Sequence, residues 1–379
     1  MKQFMIRFFG KVSVTTLLLL GCFSQIGWAD IENGFEHHNR SVTVMTQNMD
    51  AGTDLGFLFK EPDLLKAATL TYGEVLDSDI PGHTALLARI IARQQPDLIS
   101  LQEVTLWQTV SSDNKTSMLY DQLDLLLKAL KKLNKPYKVV ISQSLSQSTL
   151  PVDPTQLSNP TDTTAAVSFT DRDVILARAD LKPAELVLSN PKSEVFHNLL
   201  TLEIRPSIFF YSKRGWLSVD AKIRGKSFRF VNTHLETVIP SIIPQTSLIQ
   251  VTQAEELLQA MSNTQLPVIL AGDFNADAEF AGIGPDQTDT PNKILAAGYT
   301  DTWHERHPNN PGFTWPLFWE DPVSPLPKGP IERIDLIYAR NLNVLDAYRV
   351  GNLNQNFASD HLGVVAKLSF NREQDGHHN

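Results

Sequence analysis

Residues 267–277 spell PVILAGDFNAD, an apolar run that ends abruptly in polar residues. The apolar residues 268–270 are typical of a strand that is buried on both faces. Gly272 follows them, and we expect it to let the backbone turn as the strand leaves the core. Asp273 and Asn275 then lie at the carboxyl end of this strand. They point the same way, because side chains on a strand alternate with a period of two.

Asp273 and Asn275 together are suited to chemistry on an oxyanion. A carboxylate can hold a water molecule while a nearby amide donates to an oxygen atom that gains negative charge. Taken alone, Asp-Phe-Asn after a strand is also typical of an Asx turn. The functional interpretation therefore depends on residues elsewhere in the chain.

The composition indicates an ordinary globular protein with one large domain. The chain has 379 residues, of which 42% are hydrophobic and 20% charged, enough to bury a full core. Its formal net charge of −9 argues against tight, unspecific binding of nucleic acid, which depends on Lys and Arg contacts to phosphate. A nuclease with a local basic groove is still compatible with this charge.

The N-terminus has the pattern of a secretory signal. Basic residues precede a short apolar core at residues 12–21, and Gly27 and Ala29 provide small side chains for cleavage before residue 30. The apolar core is too short for a membrane-spanning helix. We therefore predict a signal peptide at residues 1–29 and export to the periplasm or the extracellular space.

Cys22 offers a competing interpretation of the same segment. Residues 19–22, LLGC, resemble a lipoprotein box with Cys22 as the lipidated residue, but Leu20 fits that pattern poorly, so simple cleavage is favoured. Cys22 is the only cysteine in the chain. Cleavage after Ala29 would leave a mature chain with no disulfide and no thiolate metal site.

Residues 30–40 are polar and predicted to be loose, residues 41–370 form the main domain, and residues 371–379 are a polar tail. Within the domain, helical periodicity is found at residues 64–70, 83–93, 118–133, 250–261 and 292–297. Strand-like runs are found at residues 41–48, 97–102, 137–141, 334–339, 344–350 and 362–368, and repeatedly between 165 and 236. Residues 142–164 are rich in Ser, Thr, Gln and Pro and predict a long surface loop. Two sheets packed face to face, with helices on their outer faces, account for this order.

Polar residues that a core cannot use lie at the ends of five predicted strands. They are Asn48 with Asp50, Glu103, His234, Asp273 with Asn275, and Asp360 with His361. Asp335 lies in the apolar run 333–337, where an unpaired charge would be costly. A histidine is a suitable partner, because a carboxylate on one ring nitrogen fixes the tautomer and raises the basicity of the other.

Glu103 follows its strand as Asp273 follows residues 268–270, so we expect both carboxylates at one edge of the domain. Oxygen ligands without cysteine indicate a hard cation, Mg²⁺, with Mn²⁺ or Ca²⁺ as alternatives. Such an ion keeps several water molecules and is completed by phosphate oxygens. The predicted reaction is the attack of water on a phosphoester.

Six motifs resemble the endonuclease/exonuclease/phosphatase superfamily, the DNase I-like metal-dependent phosphoesterases. In order, they are QN at 47–48, PDLISLQE at 96–103, NTHL at 232–235, GDFNA at 272–276, RIDLI at 333–337 and SDH at 359–361. The resemblance covers nearly all residues from 41 to 368. It implies a four-layered α/β sandwich, in which two mixed β-sheets pack face to face with helices on the outside. It also implies a divalent-metal-dependent phosphodiester hydrolase.

The same resemblance implies a metal site around Glu103. Glu103 would be the principal ligand, with Asp50 beside it and Asp360 close to the ion. Asn48 would lie next to Glu103 and contact the substrate.

The resemblance also implies roles in the reaction. His234 would contact and polarise the scissile phosphate, Asp273 would orient or deprotonate the attacking water, and Asn275 would hold a phosphate oxygen. Asp335 would pair with His361, which acts on the phosphate or as the acid/base. The family pattern leaves open which of Asp273 and the histidine takes the proton.

Three other residues stand out in the sequence. Arg214 is a candidate for phosphate contact because a guanidinium matches phosphate geometry, although a surface turn residue is an equal alternative. Arg172 and Asp173 are more typical of strand pairing or a salt bridge than of chemistry.

The fold alone does not determine the substrate. Export leaves extracellular nucleic acid and phospholipid head groups as candidates. The aromatic residues Phe313, Trp315, Phe318 and Trp319 would touch a membrane surface, stack on bases or pack a loop, and packing is the favoured interpretation. We expect a monomer with no protein partner. The alternative function is a binding protein that keeps the fold but has lost turnover.

Overall fold

The computed structural model describes residues 41–157, 163–239, 243–284, 286–317, 329–353 and 356–371, all within one unit, Ser41–Asn379. The predictions for residues 1–40, including the signal peptide and Cys22, lie outside the described residues, as do Phe318, Trp319 and the tail from residue 372 onward. None of the helices in the described part of the chain combines the length and apolar character that crossing a membrane requires.

The described residues form helices and strands in alternating blocks. The helices are α1 Gly56–Lys60, α2 Leu64–Asp77, α3 Ile80–Gln94, α4 Gln122–Lys132, α5 Thr246–Ser262, α6 Thr290–Ala296 and α7 Thr302–Arg306. The first strands are β1 Ser41–Asn48, β2 Leu98–Gln102, β3 Leu106–Ser111, β4 Thr116–Asp121, β5 Tyr137–Pro151, β6 Thr164–Arg178, β7 Leu186–Val195, β8 Leu200–Arg205 and β9 Ile208–Ser212. They are followed by β10 Gly215–Ile223, β11 Lys226–His234, β12 Val268–Asp273, β13 Thr300–Asp301, β14 Asp335–Arg340, β15 Leu342–Val350, β16 Asn352–Leu353, β17 Asn356–Phe357 and β18 Gly363–Phe370.

Two large mixed sheets organise the domain, as the sequence predicts. The first has the strand order β15-β18-β1-β2-β6-β3-β4, with β5 also paired to β6, and the second has the order β13-β14-β12-β11-β10-β7. The pairs β1/β2 and β11/β12 are parallel. By contrast, β14 and β18 run antiparallel to their neighbours β12 and β1. Parallel strands therefore end, and antiparallel strands begin, at the same edge of each sheet.

Apolar residues explain the four layers. One cluster lies between the sheets and joins Val44 and Ile175 of the first to Phe230 and Ile269 of the second. A second cluster packs α3 and α4 on the outer face of the first sheet, and a third packs α5 on the outer face of the second. In β12, Ile269 faces the other sheet while Val268 and Leu270 face α5. This burial on both faces accounts for the continuous apolar run and confirms the four-layered α/β sandwich.

The prediction of a surface loop at residues 142–164 is wrong for residues 142–151 and for residue 164, which belong to strands. Residues up to Pro151 belong to β5, which pairs antiparallel with β6 and has a register shift between Ser144 and Gln147. Buried Leu145 and Val152 alternate with exposed polar side chains along this segment. The polar composition therefore reflects one exposed face of a strand, and pairing with β6 satisfies its backbone.

The helix predicted at residues 118–133 is shorter in the structure. It begins at Gln122, after strand β4, because the Asp121 side chain accepts hydrogen bonds from the backbone N–H groups of Leu123 and Asp124. This is an N-cap, which satisfies donors that the first helical turn leaves free. The leucine periodicity identified the helix but not its first residue.

Gly272 has a different role from the predicted turn. It lies inside β12, and the positive φ that changes the chain direction belongs to Asn275, at 47°. Gly272 is required because the backbone of β11 is close, so that a Cβ at this position would lie 2.1 Å from Thr233 O.

Replacing Gly272 with alanine should therefore destabilise the edge of the sheet that bears Asp273. Overpacking typically costs 1–3 kcal/mol, and we expect the free energy of unfolding to fall by about 3 kcal/mol in urea denaturation. Gly73→Ala is the matched control, since a Cβ there would meet only Leu157 Cδ2 at 3.4 Å within helix α2. Alanine in a helix is favoured over glycine, so this control should be neutral or stabilising. Equal stabilities for the two variants would contradict the account.

Glu332 makes the stability of the fold depend on pH. Burial, and then the charges of Asp277 and Asp286, raise its pKa from 4.5 to about 7. The folded state thus retains a proton that the unfolded state releases, and the free energy of unfolding falls as the pH rises through this interval. Glu332→Gln removes this effect. The free energy of unfolding of Glu332→Gln minus that of the unchanged protein should therefore increase by about 1–2 kcal/mol between about pH 5 and pH 8. Calorimetry at several pH values measures this difference. A difference that does not vary with pH would contradict the assignment.

Candidate active site

The polar residues predicted from the strand ends meet at one edge of the sandwich. Asn48 ends β1, Glu103 directly follows β2, His234 ends β11 and Asp273 ends β12. Asp335 is the first residue of β14, and His361 lies just before β18. The direct contact between Asn48 of the first sheet and Asp273 of the second shows that the two edges form a single site.

Asn48 is at the centre of this site. Its Nδ2 donates to Glu103 Oε1 and to Asp273 Oδ2, each at 3.0 Å, and its Oδ1 accepts from the backbone N–H of Asp50 at 3.0 Å. Glu103 Oε2 accepts from Ala51 N at 3.0 Å. One fully buried amide thus fixes two carboxylates that come from different sheets.

Asp335 and His361 form the pair that the sequence predicts. His361 Nδ1 lies 2.8 Å from Asp335 Oδ2, and both side chains are buried. Burial alone lowers the pKa of His361, but the charges of Asp335 and Asp360 outweigh it and raise this pKa well above 6.5. The imidazole therefore holds its proton at neutral pH, with Nε2 on the side away from Asp335.

His234 has the opposite electrostatic environment. Burial, followed by the nearby charge of Arg214, lowers the pKa of His234 well below 6.5, so the ring is neutral. Arg214 Nη1 lies 2.7 Å from Nδ1 and 2.9 Å from Nε2 of His234, and Nε2 lies 3.4 Å from Asp273 Oδ2. Arg214 is thus part of the site, and the alternative of a surface turn residue is wrong because only 15% of its side chain is exposed.

Asp273 and Asn275 close the loop after β12. Asp273 Oδ1 accepts from the backbone N–H of Asn275 at 2.9 Å, and Asn275 Nδ2 donates to Leu235 O at 3.0 Å. Burial, and then the charge of Asp335, raise the pKa of Asp273 to about 7. The turn expected from Asp-Phe-Asn is present, and it also presents the carboxylate to the site.

Asp50 and Asp360 lie at the rim of the site. Burial, and then the charge of Asp360, raise the pKa of Asp50 well above its usual range, while Asp50 Oδ1 accepts from Gly52 N at 2.7 Å. Asp360 Oδ2 accepts from Trp315 Nε1 at 3.2 Å.

Trp315, for which the sequence favours loop packing over contact with a membrane or with bases, is a neighbour of the site. Its ring lies 6.2 Å from that of His361, in addition to its contact with Asp360. Phe313 packs on Phe280 with ring centroids 6.3 Å apart, in agreement with the packing interpretation. The sequence signal for Trp315 was its place in an aromatic segment, but nothing in that segment distinguishes it from Phe313.

The donor set fits a hard divalent cation. Carboxylates outnumber the cationic side chains here, and their mutual repulsion contributes to the raised pKa values of Asp50 and Asp273. Asp273, Asp335 and His361 each offer an atom within 4.8 Å of the others, and Asp335 Oδ1 is buried with no hydrogen-bond partner. Within the part of the chain that the structure describes, the predicted ligands Glu103, Asp50 and Asp360 do not form such a close group. A cation held by Glu103 would therefore share the site with Asn48 and substrate oxygens.

Arg172 and Asp173, which are neighbours in β6, have different environments in the structure. Arg172 Nη2 forms an ion pair with Asp121 at 2.6 Å, as expected. Asp173 lies in β6 and pairs with Gln143 of β5, as the strand-pairing interpretation predicts, but within the described residues both of its carboxylate oxygens are buried without a hydrogen-bond partner.

Comparison with known proteins identifies the family. Residues 77–361 match the model of the Endonuclease/Exonuclease/phosphatase family. No curated protein matches the chain. Among solved structures, an endonuclease/exonuclease/phosphatase family protein from Leptotrichia buccalis has a TM-score of 0.52 at 18% identity and covers 87% of this chain and 100% of its own.

Two further solved structures are similar to the chain. One, from Beutenbergia cavernae, has a TM-score of 0.52 at 22% identity, with 87% of this chain and 72% of that chain covered. The other, from Bacteroides vulgatus, has a TM-score of 0.51 at 15% identity, with 87% and 99% covered. At these identities the similarity shows the fold alone.

Proposed function

The chain belongs to the Endonuclease/Exonuclease/phosphatase family, and from this membership we propose that it is a secreted, divalent-metal-dependent hydrolase of phosphodiesters. The observation that supports this most is the Asn48 amide, which holds Glu103 and Asp273 together across the two sheets. A purely structural amide would not need to bring two carboxylates close together. The proposal of secretion depends on the sequence of residues 1–29.

A divalent cation at Glu103 would supply positive charge for the phosphate oxygens and for the oxygen of the leaving group. Asp273 orients the attacking water through the carboxylate that Asn48 and Asn275 N hold in place. His361 is fixed by Asp335 and donates a hydrogen bond from Nε2 to the phosphate. These groups are preorganised, so they need little rearrangement when charge develops in the transition state.

Arg214 and His234 complete the phosphate side of the site. Neutral His234 lies between the Arg214 guanidinium and Asp273. Arg214 Nε lies 3.8 Å from Glu236 Oε1, and a guanidinium at this place suits a phosphate oxygen of the substrate. Asn275 uses one amide hydrogen on Leu235 O and has a second hydrogen for the substrate.

The rim of the site offers apolar and aromatic contacts for the rest of the substrate. Trp315 lies beside His361, and strand β9, with exposed Phe209 and Tyr211, ends two residues before Arg214. Such residues suit both unpaired bases and the surface of a phospholipid membrane. The proposed substrates are therefore nucleic acid and phospholipid head groups.

The experiment is a direct comparison of substrates. Purified protein with Mg²⁺ is offered plasmid DNA, RNA, sphingomyelin vesicles and phosphoinositides, with Glu103→Gln as the blank. Cleavage of nucleic acid only would exclude the lipid substrates, and cleavage of lipid only would exclude a nuclease. Binding without turnover of any substrate would show that the protein is an inactive binding protein, contrary to the proposal.

A further inference from the structure

Two aspartates of β6 face the space between the two sheets, close to the active site. Ile175 and Ala177 of this strand belong to the core cluster between the sheets. Because strand side chains alternate, Asp173 and Asp171 face the same way. Their side chains are 0% and 6% exposed, so both carboxylates are removed from solvent.

Neither aspartate has a direct ion pair among the described residues, although the charge of Arg214 lowers the pKa of both carboxyl groups and Asp171 also accepts a backbone hydrogen bond from Arg172. Asp173 Oδ1 and Oδ2 and Asp171 Oδ1 are buried with no hydrogen bond. The nearest cation is Arg214, but among the described residues its closest carboxylate is Glu236, at 3.8 Å, and no ion pair within 4.0 Å joins it to Asp171 or Asp173. Two carboxylates that are buried in a core without a direct ion pair are destabilising.

Gln143 adds a neutral oxygen to the same space. It is the register partner of Asp173 in the antiparallel pair of β5 and β6, so its side chain lies on the same face. Gln143 is 9% exposed, and its Oε1 has no hydrogen-bond partner. A Cβ on Gly215 would lie 3.0 Å from this oxygen, which places Oε1 beside the opposite sheet, next to Arg214.

Three side chains thus present four buried oxygen atoms without a hydrogen-bond partner. Burial first, and for Asp173 next the charge of Asp171, raise the pKa of both carboxyl groups, to about 7 for Asp171. Carboxylate and amide oxygens without nitrogen or sulfur are the donors that Mg²⁺, Mn²⁺ and Ca²⁺ prefer. Water molecules can fill the remaining coordination positions, as is usual for these ions.

We propose that Asp171, Asp173 and Gln143 bind a second divalent cation between the two sheets, separate from the one at Glu103. The described residues contain no close three-ligand group that combines Glu103 with the two aspartates, so one ion would not serve both places. The second ion neutralises the aspartates, which would otherwise attract Arg214 away from His234. Its function is to position Arg214, and the proposal does not require that the protein hydrolyse phosphodiesters.

The test counts Mn²⁺ ions bound to the purified protein by equilibrium dialysis with electron paramagnetic resonance. The protein should bind two ions, and Asp173→Asn and Asp171→Asn should each bind one, with at least about tenfold weaker affinity at the lost site. Glu103→Gln should also retain one ion, the one between the sheets. Asp220→Asn is the control, because Asp220 is paired with Arg229 elsewhere in the second sheet. This variant should bind two ions.

A single ion that survives both aspartate substitutions, or two ions in both aspartate variants, would overturn the proposal. So would the loss of every ion in Glu103→Gln, since all binding would then belong to the catalytic site. Absence of hydrolysis alone would count against the proposed function and leave this ion count intact.

A thermal measurement separates loss of the ion from a folding defect. In EDTA, Asp173→Asn should melt at the same temperature as the unchanged protein or higher, because it removes a buried charge. Excess Mn²⁺ should raise the melting temperature of both proteins, and the increase should be larger for the unchanged protein than for the variant by roughly 2 °C or more. Equal gains in Mn²⁺ would contradict the proposal. Gln143→Leu provides a second variant, for which we also expect a smaller increase in melting temperature with Mn²⁺ than for the unchanged protein.

Discussion

Glu103→Gln is expected to reduce phosphodiester hydrolysis by about 10³-fold or more. Both Glu103 oxygens accept hydrogen bonds, from Asn48 Nδ2 and from Ala51 N. Glutamine has nearly the same shape but no charge, and it can keep only one of these acceptors. The change therefore removes the charge that would hold the cation with little change in volume. Initial rates at increasing Mg²⁺ concentration measure the effect.

Glu256→Gln is the matched control for this substitution. Glu256 lies on helix α5, where it pairs with the exposed His197 at 2.9 Å, far from the strand ends of the site. Its substitution should leave the rate and the Mg²⁺ requirement unchanged. A Glu103→Gln protein that keeps its full rate and the same Mg²⁺ dependence would remove Glu103 from the metal site.

His361→Ala is expected to reduce kcat by about 10²- to 10⁴-fold, the range for loss of a positioned acid or base. The Asp335 carboxylate 2.8 Å away fixes the ring and raises its pKa well above 6.5, so a proton is available at neutral pH. The effect should appear mainly in kcat, because the donated hydrogen bond strengthens as charge develops on the phosphate. Steady-state kinetics on the best substrate gives both parameters.

His197→Ala serves as the control, since His197 is an exposed histidine with a carboxylate partner of its own. It should have normal kinetics. If His361→Ala has an unchanged kcat, His361 does not take part in the reaction. A rise in KM alone would instead indicate that His361 binds the substrate without assisting the chemical step.

The sequence predicted the strand-end residues because their physical requirements are local. An apolar run followed by a carboxylate marks a strand that leaves a core, and this pattern recurs before Glu103 and Asp273. Asp335 in an apolar strand required a partner, and the structure provides His361. The parallel pairing of β1 with β2 and of β11 with β12 then brings these ends to one edge.

What the sequence did not predict depends on contacts between distant segments. The strand at residues 142–151 contains many polar residues, and only its pairing with β6 shows that it is part of a sheet. The same register places Gln143 beside Asp173 and turns both toward the second sheet. The need for Gly272 also comes from a neighbour, Thr233 O, that is 39 residues away in the chain. Local periodicity contains no information about such neighbours.

We expect the residues at this edge to form one metal-dependent hydrolytic site. The most direct measurement is the release of p-nitrophenol from bis(p-nitrophenyl) phosphate by the purified protein, with EDTA and then with added Mg²⁺ or Mn²⁺. A metal-dependent site at this edge should give turnover that stops in EDTA, returns with the divalent ion and is lost in Glu103→Gln. Turnover that is insensitive to EDTA, or no turnover with any divalent ion, would contradict this expectation.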